Sequence, residues 1–175
     1  MSLFRSAALA ALITVGMTTG CTQQRAPIPE GGQVAQSSNT VGSGVVSGGV
    51  DSTGKYTGSD GISRSGFKML YFGYNRYRLD NGQVQRLMSD LPRIRQAAQG
   101  SSLRIEGNCD EFGTDEFNYA LGLKRAKAVK SLLVSNGIPA SKIAVVSYGE
   151  SNPTCRANGA ACHAKNRRVE INTVR

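Results

Sequence analysis

Asp110 stands where a stretch of alternating apolar and polar residues stops, and Arg125 follows fifteen residues later inside a helix-periodic run. Gly113 and Thr114 lie between them and turn the chain back. A carboxylate and a guanidinium brought to one strand end can hold a zwitterion. The carboxylate accepts hydrogen bonds from an ammonium, and the guanidinium grips a carboxylate through two parallel bonds. The same two groups can instead pair with each other and tie loop to helix. The two readings separate by mutation. In a clamp, alanine at either position abolishes binding and leaves melting nearly unchanged, whereas in a structural pair it costs stability. Nothing else in the chain offers chemistry of comparable definition. His163 is the only histidine, so a histidine base has one candidate nucleophile arrangement, Cys109 with His163, and no oxyanion element accompanies it. The plainer reading of Cys109 is a half-buried thiol packed at the strand end. His163 beside Cys162, in an expected surface loop, is no metal-ligand set. The residues therefore predict a binding protein without enzymatic activity, metal or cofactor.

The elements that must position Asp110 and Arg125 can be read from periodicity. Phe67–Tyr74 (FKMLYFGY) reads as a first strand ended by Asn75. Asn81 and Gly82 open a helix in which Val84, Leu87, Met88, Leu91 and Ile94 form one apolar stripe. Pro92 predicts a kink or restart, and Gly100 closes the helix. Ser102–Cys109 alternates and reads as a second strand. Thr114 is a helix cap, with Asp115 and Glu116 in the first turn, where negative charge suits the helix dipole. Phe117, Leu121, Ala128, Val129 and Leu132 form the expected buried stripe, and Asn136, Gly137 and Pro139 stop the helix. Lys142–Tyr148 and Arg168–Val174 supply two further strands. Strands joined through helices in this order predict an α/β (α+β) two-layer sandwich, βαβαβ-β, with a mixed four-stranded sheet and helices on one face.

Upstream of this domain the composition changes. Residues 1–20 read as a secretory signal, with Arg5 as its positive region and a short apolar run at Ala7–Val15. A small residue then precedes Cys21, which resembles the lipobox of bacterial lipoproteins, although Thr18 stands where leucine is usual. Cys21 is thus the expected acylation site and the anchor to an outer membrane. The alternative is an ordinary cleaved signal with an incidental cysteine. Residues 21–66 read as a lipidated N-terminus followed by a flexible tether. Within 31–66 there are 10 Gly and 8 Ser, a composition that cannot bury enough surface to offset its ordering entropy. A coil of this kind spans roughly 35–40 Å. Val41–Val50 alternatively reads as a glycine-rich membrane-inserting segment. Residues 67–175 form the expected globular domain. The net charge of +9 predicts attraction to polyanions. An exported chain rarely meets nucleic acid, so the charge reads as cell-wall affinity or a solvated face.

Four blocks carry a resemblance: YFGYNRYRL at Tyr71–Leu79, EGNCDEFGTDEFNYALGLKRAKAVKSLL at Glu106–Leu133, VSYGESNP at Val146–Pro153, and KNRRVEI at Lys165–Ile171. Together they resemble the OmpA-like peptidoglycan-binding family, and within it the lipid-anchored branch that works with the Tol system. The resemblance implies non-catalytic binding of the peptidoglycan stem peptide through its diaminopimelate. It assigns the ligand contacts to Asp110 and Arg125, places Thr114 and Leu121 on contacting positions, and makes Asn118 the residue that steadies the loop. The family commonly ends its first strand in Phe-Asp where this chain has Tyr74 and Asn75, and often has arginine where this chain has Phe112. Implied partners are peptidoglycan, the outer membrane through acylated Cys21, and Tol proteins such as TolB and TolA. The implied role is linking outer membrane to cell wall in support of envelope integrity and division, with the domain facing the periplasm. A structural or adhesive envelope lipoprotein outside the Tol system is the alternative. Asn166, Arg167 and Arg168 read either as a brace near the pocket mouth or as a solvated strand start.

The remaining cysteines are read from chemistry alone. Cys155 and Cys162 flank a short loop, and an oxidising compartment favours a bridge between them, contributing about 2–3 kcal/mol in the chain-entropy model.

Overall fold

A computed structural model of the chain describes residues 49–58 and 61–175. Its sheet is assembled from β1 (Leu70–Tyr71), β2 (Ser102–Asn108), β3 (Ile143–Gly149) and β4 (Arg168–Val174), in the spatial order β1-β4-β2-β3. β2 and β3 run parallel, joined by the crossover helix α2 (Asp115–Ser135), as a parallel pair requires. β4 enters between β1 and β2, antiparallel to both. The last strand thereby sits next to the first element of the sheet and brings its leading residues to the end of β2.

Strand alternation divides the sheet chemically. Leu103 and Ile105 of β2 and Val169 and Ile171 of β4 are buried in one core with Leu87 and Ile94 of α1 (Asn81–Gly100) and Ala126, Val129 and Leu133 of α2. The opposite parity is polar and saturated with ion pairs. Glu106 is buried and pairs with Arg104 at 2.7 Å and Arg64 at 3.0 Å, while Arg168 pairs with Glu170 at 2.5 Å. A short helix, α3 (Ala160–Asn166), lies where a surface loop was expected. It packs Ala164 against Tyr56 and Tyr71, outside the main core.

Several sequence expectations need correction. The strand expected over Phe67–Tyr74 pairs only at Leu70–Tyr71. Beyond it the amides find other partners: Phe72 N–H donates to the Arg167 carbonyl and Tyr74 N–H to the Thr53 carbonyl. Asn75, at φ 51, then turns the chain away. α1 runs unbroken through Pro92. The ring removes one backbone bond, but Leu87, Ile94 and Ala98 on either side of it are seated in buried positions, and the helix continues without a restart. The cap of α1 is Asp80, whose carboxylate accepts from Gln83 N–H at 2.9 Å. On α2, Phe117 is 47% exposed. The buried line instead runs Asn118, Leu121, Gly122, Arg125, Ala126, Val129 and Leu133. Two polar side chains and a glycine lie on it, so hydrophobic periodicity points to the wrong face at the first turn.

Thr114 caps α2 through its hydroxyl, which accepts from Phe117 N–H at 3.2 Å. The helix is held very close to β2. A Cβ on Gly107 would meet the Gly122 carbonyl oxygen at 1.9 Å, and one on Gly122 would meet Ser147 Oγ at 2.3 Å. Backbone-to-backbone contact at this crossing sets the height of α2 over the sheet one turn before Arg125.

The ordered fold also begins earlier than Phe67. Tyr56 is 1% exposed and stacks edge-on against Tyr71 at 4.8 Å, and Ser63 Oγ donates to the Ile171 carbonyl at 2.7 Å. The last part of the Gly/Ser-rich stretch is therefore packed on the sheet, and it carries an aromatic side chain, Tyr56, of a kind that residues 31–48 lack.

Candidate functional site

The strand ends of β2 and β3 and the start of β4 converge at one end of the sheet. Asp110, two residues past β2, is buried there, and its Oδ2 accepts from Arg167 NH1 at 2.5 Å. Arg167 immediately precedes β4, and this ion pair ties the β2–α2 loop to the last strand. The alternative reading, a direct Asp110–Arg125 pair, is not what forms: Asp110 takes Arg167 as its partner. Arg125 is 0% exposed and turns its guanidinium onto the chain itself. Its Nε donates to the Arg76 carbonyl at 2.8 Å, NH1 to the Asn108 carbonyl at 2.9 Å and to Cys109 Sγ at 3.2 Å, and NH2 to the Gly73 carbonyl at 3.3 Å. The guanidinium also lies 5.3 Å from the Phe72 ring centre. Burial pulls the Arg125 pKa down to about 10, with Cys109 and Asp110 opposing and Arg167 adding to the shift, so the group stays charged at neutral pH. Asp110, Arg125 and Arg167 thus form one charged cluster under the sheet end.

Around this cluster the other expected residues take distinct places. Asn118 is fully buried. Its amide donates to the Asp110 carbonyl at 3.2 Å and to Glu150 Oε2 at 2.5 Å, which fixes the β2–α2 loop to the end of β3, and its Oδ1 has no partner among the described residues. Leu121 is buried on α2, and Thr114 is exposed at the helix start. Tyr74 is 59% exposed and meets Phe112 edge-on at 6.3 Å, and Phe112 lies 4.8 Å from His163. Asn75 is exposed on the turn after β1. A cleft of about 300 Å³ opens beside these residues, lined by Thr53, Phe72, Asn75, Arg76, Tyr77 and Asp80. A larger cleft of about 650 Å³, with Asp115, Tyr119, Tyr148 and Glu150 in its wall, touches none of the three charged residues of the cluster.

Cys155 and Cys162 form a disulfide with Cα atoms 5.3 Å apart, which fastens the loop after β3 to α3. Cys109 is buried rather than half-buried. Burial raises its thiol pKa, only partly opposed by Arg125, so it remains a thiol. His163 lies on α3 with its imidazole 3.8 Å from Glu111 and against Phe112, not against Cys109. Among the described residues no group of His, Cys, Asp and Glu could hold a metal ion. Cys21 lies outside the described residues.

Arg167 is the residue that spacing did not single out for the cluster. Its partner lies 57 positions away, and the only sequence signal was the Asn-Arg-Arg run itself.

The comparisons with known proteins bear on this same region. The chain is 38% identical over 105 residues to the peptidoglycan-associated lipoprotein of Haemophilus influenzae, an alignment covering 60% of this chain and 68% of that one. It is 30% identical over 172 residues to the peptidoglycan-associated lipoprotein of Pseudomonas aeruginosa, covering 98% of this chain and 99% of that one. The fold matches the crystal structure of the peptidoglycan-associated lipoprotein from Burkholderia pseudomallei with a TM-score of 0.56 at 30% identity, over 61% of this chain and 89% of that one. The model of the OmpA family matches residues 71–167, a span that runs from the edge strand through the whole charged cluster to Arg167. This chain belongs to the OmpA family.

Proposed function

We propose that the charged cluster at the sheet end binds the diaminopimelate of the peptidoglycan stem peptide and so holds the protein to the cell wall. The chain is not an enzyme. The observation that carries the reading is the buried Asp110 with two guanidinium groups beside it, at the end of a sheet whose relatives are named for association with peptidoglycan. A zwitterionic ligand matches this arrangement: its ammonium is drawn to Asp110 and its carboxylate to the net positive charge of Arg125 and Arg167. Arg125 reaches a ligand carboxylate by exchanging a loop carbonyl, that of Gly73 or Arg76, for it. Thr114 and Leu121 contact the ligand from α2, Tyr74 and Asn75 from the turn after β1, and Asn118 holds the loop.

The rest of the proposal concerns attachment. Acylation of Cys21 inserts a lipid into the outer membrane, the domain faces the periplasm, and wall and membrane are linked non-covalently within the Tol system, with TolB and TolA as partners in envelope integrity and division. Neither grip need be tight, because both surfaces present many sites and avidity multiplies weak contacts. The full-length relation to the Pseudomonas aeruginosa lipoprotein, which includes the residues around Cys21, supports this part.

The test uses the full chain carrying Cys21→Ser with purified sacculi. Co-sedimentation is expected, competed by a diaminopimelate-containing stem peptide, insensitive to moderate salt, and lost in Asp110→Asn. Binding removed by salt and not by the peptide would mean that net charge alone is responsible.

A further inference from the structure

The residues just before the family-matched region close over the cluster. Asp51–Lys55 form a tight turn organised by the Asp51 carboxylate, whose Oδ1 accepts from Thr53 Oγ1 at 2.6 Å, Thr53 N–H at 2.9 Å and Lys55 N–H at 3.1 Å. Gly54, at φ +73, supplies the left-handed residue that the turn needs. Three contacts fasten this turn to the site. The Thr53 carbonyl accepts from Tyr74 N–H at 3.2 Å. The Gly54 carbonyl accepts from Arg167 NH2. Lys55 Nζ pairs with Asp80 at 2.6 Å and with Asp51 at 3.5 Å. The fit is close on the other side as well: a Cβ on Gly73 would lie 2.7 Å from the Thr53 oxygen.

Arg167 offers donors in two directions. NH1 is committed to Asp110, and Nε faces the Phe72 carbonyl at 3.3 Å. NH2 points to the turn, and the oxygen it holds is a neutral peptide carbonyl. A charged acceptor forms the stronger bond with a guanidinium. The Gly54 carbonyl therefore stands where a ligand carboxylate oxygen would sit.

We infer that Arg167 NH2 is a carboxylate-binding position, filled by Gly54 in the unliganded protein, and that the Asp51–Lys55 turn is a strap which a ligand carboxylate displaces. The inference rests on the peptidoglycan reading and adds to it an acceptor position on Arg167 and an internal competitor. A competitor of this kind lowers apparent affinity by the fraction of time it is seated. Residues upstream of the strap lead towards Cys21, so the segment that would release the site is the one through which the anchor connects to the domain.

The experiment compares two strap variants with the parent, each as the full chain with Cys21→Ser. Gly54→Pro cannot adopt the positive φ of the turn. Lys55→Glu places a third carboxylate beside Asp51 and Asp80. Hydrogen exchange at the Tyr74 amide, bonded to Thr53, reports whether the strap has left, and titration with diaminopimelate-containing stem peptide reports affinity. Both variants should expose the Tyr74 amide and bind the peptide at least threefold more tightly. In the parent, saturating peptide should expose the same amide. An exposed amide with unchanged or weaker binding overturns the inference while the peptidoglycan reading stands. A Tyr74 amide that stays protected in both variants and in the liganded parent overturns it too, since the turn is then not displaceable. If neither parent nor variants bind the peptide or sacculi, the peptidoglycan reading falls and this inference with it.

Discussion

Arg125 shows how far a side chain's chemistry depends on what surrounds it. Its position in a helix fifteen residues after Asp110 was legible from spacing, and its charge suits a carboxylate ligand. Its burial was not legible, because the carbonyls it satisfies come from Gly73, Arg76 and Asn108, on two segments remote in sequence. Removing the guanidinium takes a donor from the buried Asn108 carbonyl, at a cost of roughly 1–3 kcal/mol for an unsatisfied group, whereas the Gly73 carbonyl keeps the Arg76 N–H and Arg76 itself is exposed. Arg125→Ala should therefore lower stability by about 1–3 kcal/mol in a denaturant melt. The clamp reading alone would have left melting nearly unchanged, and a melt superimposable on the parent would restore it. Asp110 was equally legible as a strand-end carboxylate, but its ion-pair partner was not. Arg167 arrives through the insertion of β4 beside β2, a topological fact that no local spacing encodes.

At the scale of elements, the legible parts were those written in local chemistry. Thr114 with Asp115 and Glu116 marks the start of α2, and β4 occupies the residues expected for the last strand, Arg168–Val174. The parts that escaped were set by tertiary contact: α1 runs through Pro92, and β1 is cut short by the strap and by Arg167. The crossing of α2 over β2 is the most constrained of these contacts. Gly107→Ala would drive a methyl group into the Gly122 backbone and should destabilise by about 1–3 kcal/mol or more, read as a fall in melting temperature. The strap has its own signature, in pH. Burial would raise the Asp51 pKa, but bonds from Thr53 and Lys55 and the Lys55 charge outweigh it and hold it at about 2, below its ordinary 3.8. A lowered carboxyl pKa stabilises above the unfolded value and loses that contribution as pH falls through the folded one. Asp80 is lowered in the same direction, with burial opposed mainly by its bond from Lys55. Lys55 is raised, with burial opposed by Asp80 and Asp51, so its contribution persists up to alkaline pH. The Tyr74 amide resonance should therefore hold its strapped position at neutral pH and move as pH falls from about 4 towards 2. No change over that range would argue against these charges as the fastening.

For the molecule as a whole, one end of the sheet collects what the sequence scatters over more than a hundred positions: Gly54 from the strap, Tyr74 from the turn after β1, Asp110 and Thr114 from the β2–α2 loop, and Arg167 from the approach to β4. Composition placed the boundary of the domain at Phe67, because glycine and serine dominate the preceding stretch. Among the described residues the packing starts before Phe67, with Tyr56 buried against Tyr71. The remaining basic surface, with Lys124 and Lys127 exposed along α2, offers a polyanion a different and less selective attachment. The measurement that separates the two most directly is amide chemical-shift mapping of the full chain carrying Cys21→Ser during titration with a diaminopimelate-containing stem peptide. Saturable shifts are expected at Gly54, Tyr74, Asp110, Thr114 and Arg167, with little change along the exposed face of α2. Shifts confined to Lys124, Lys127 and their neighbours on α2, abolished by salt, would contradict binding at the sheet end.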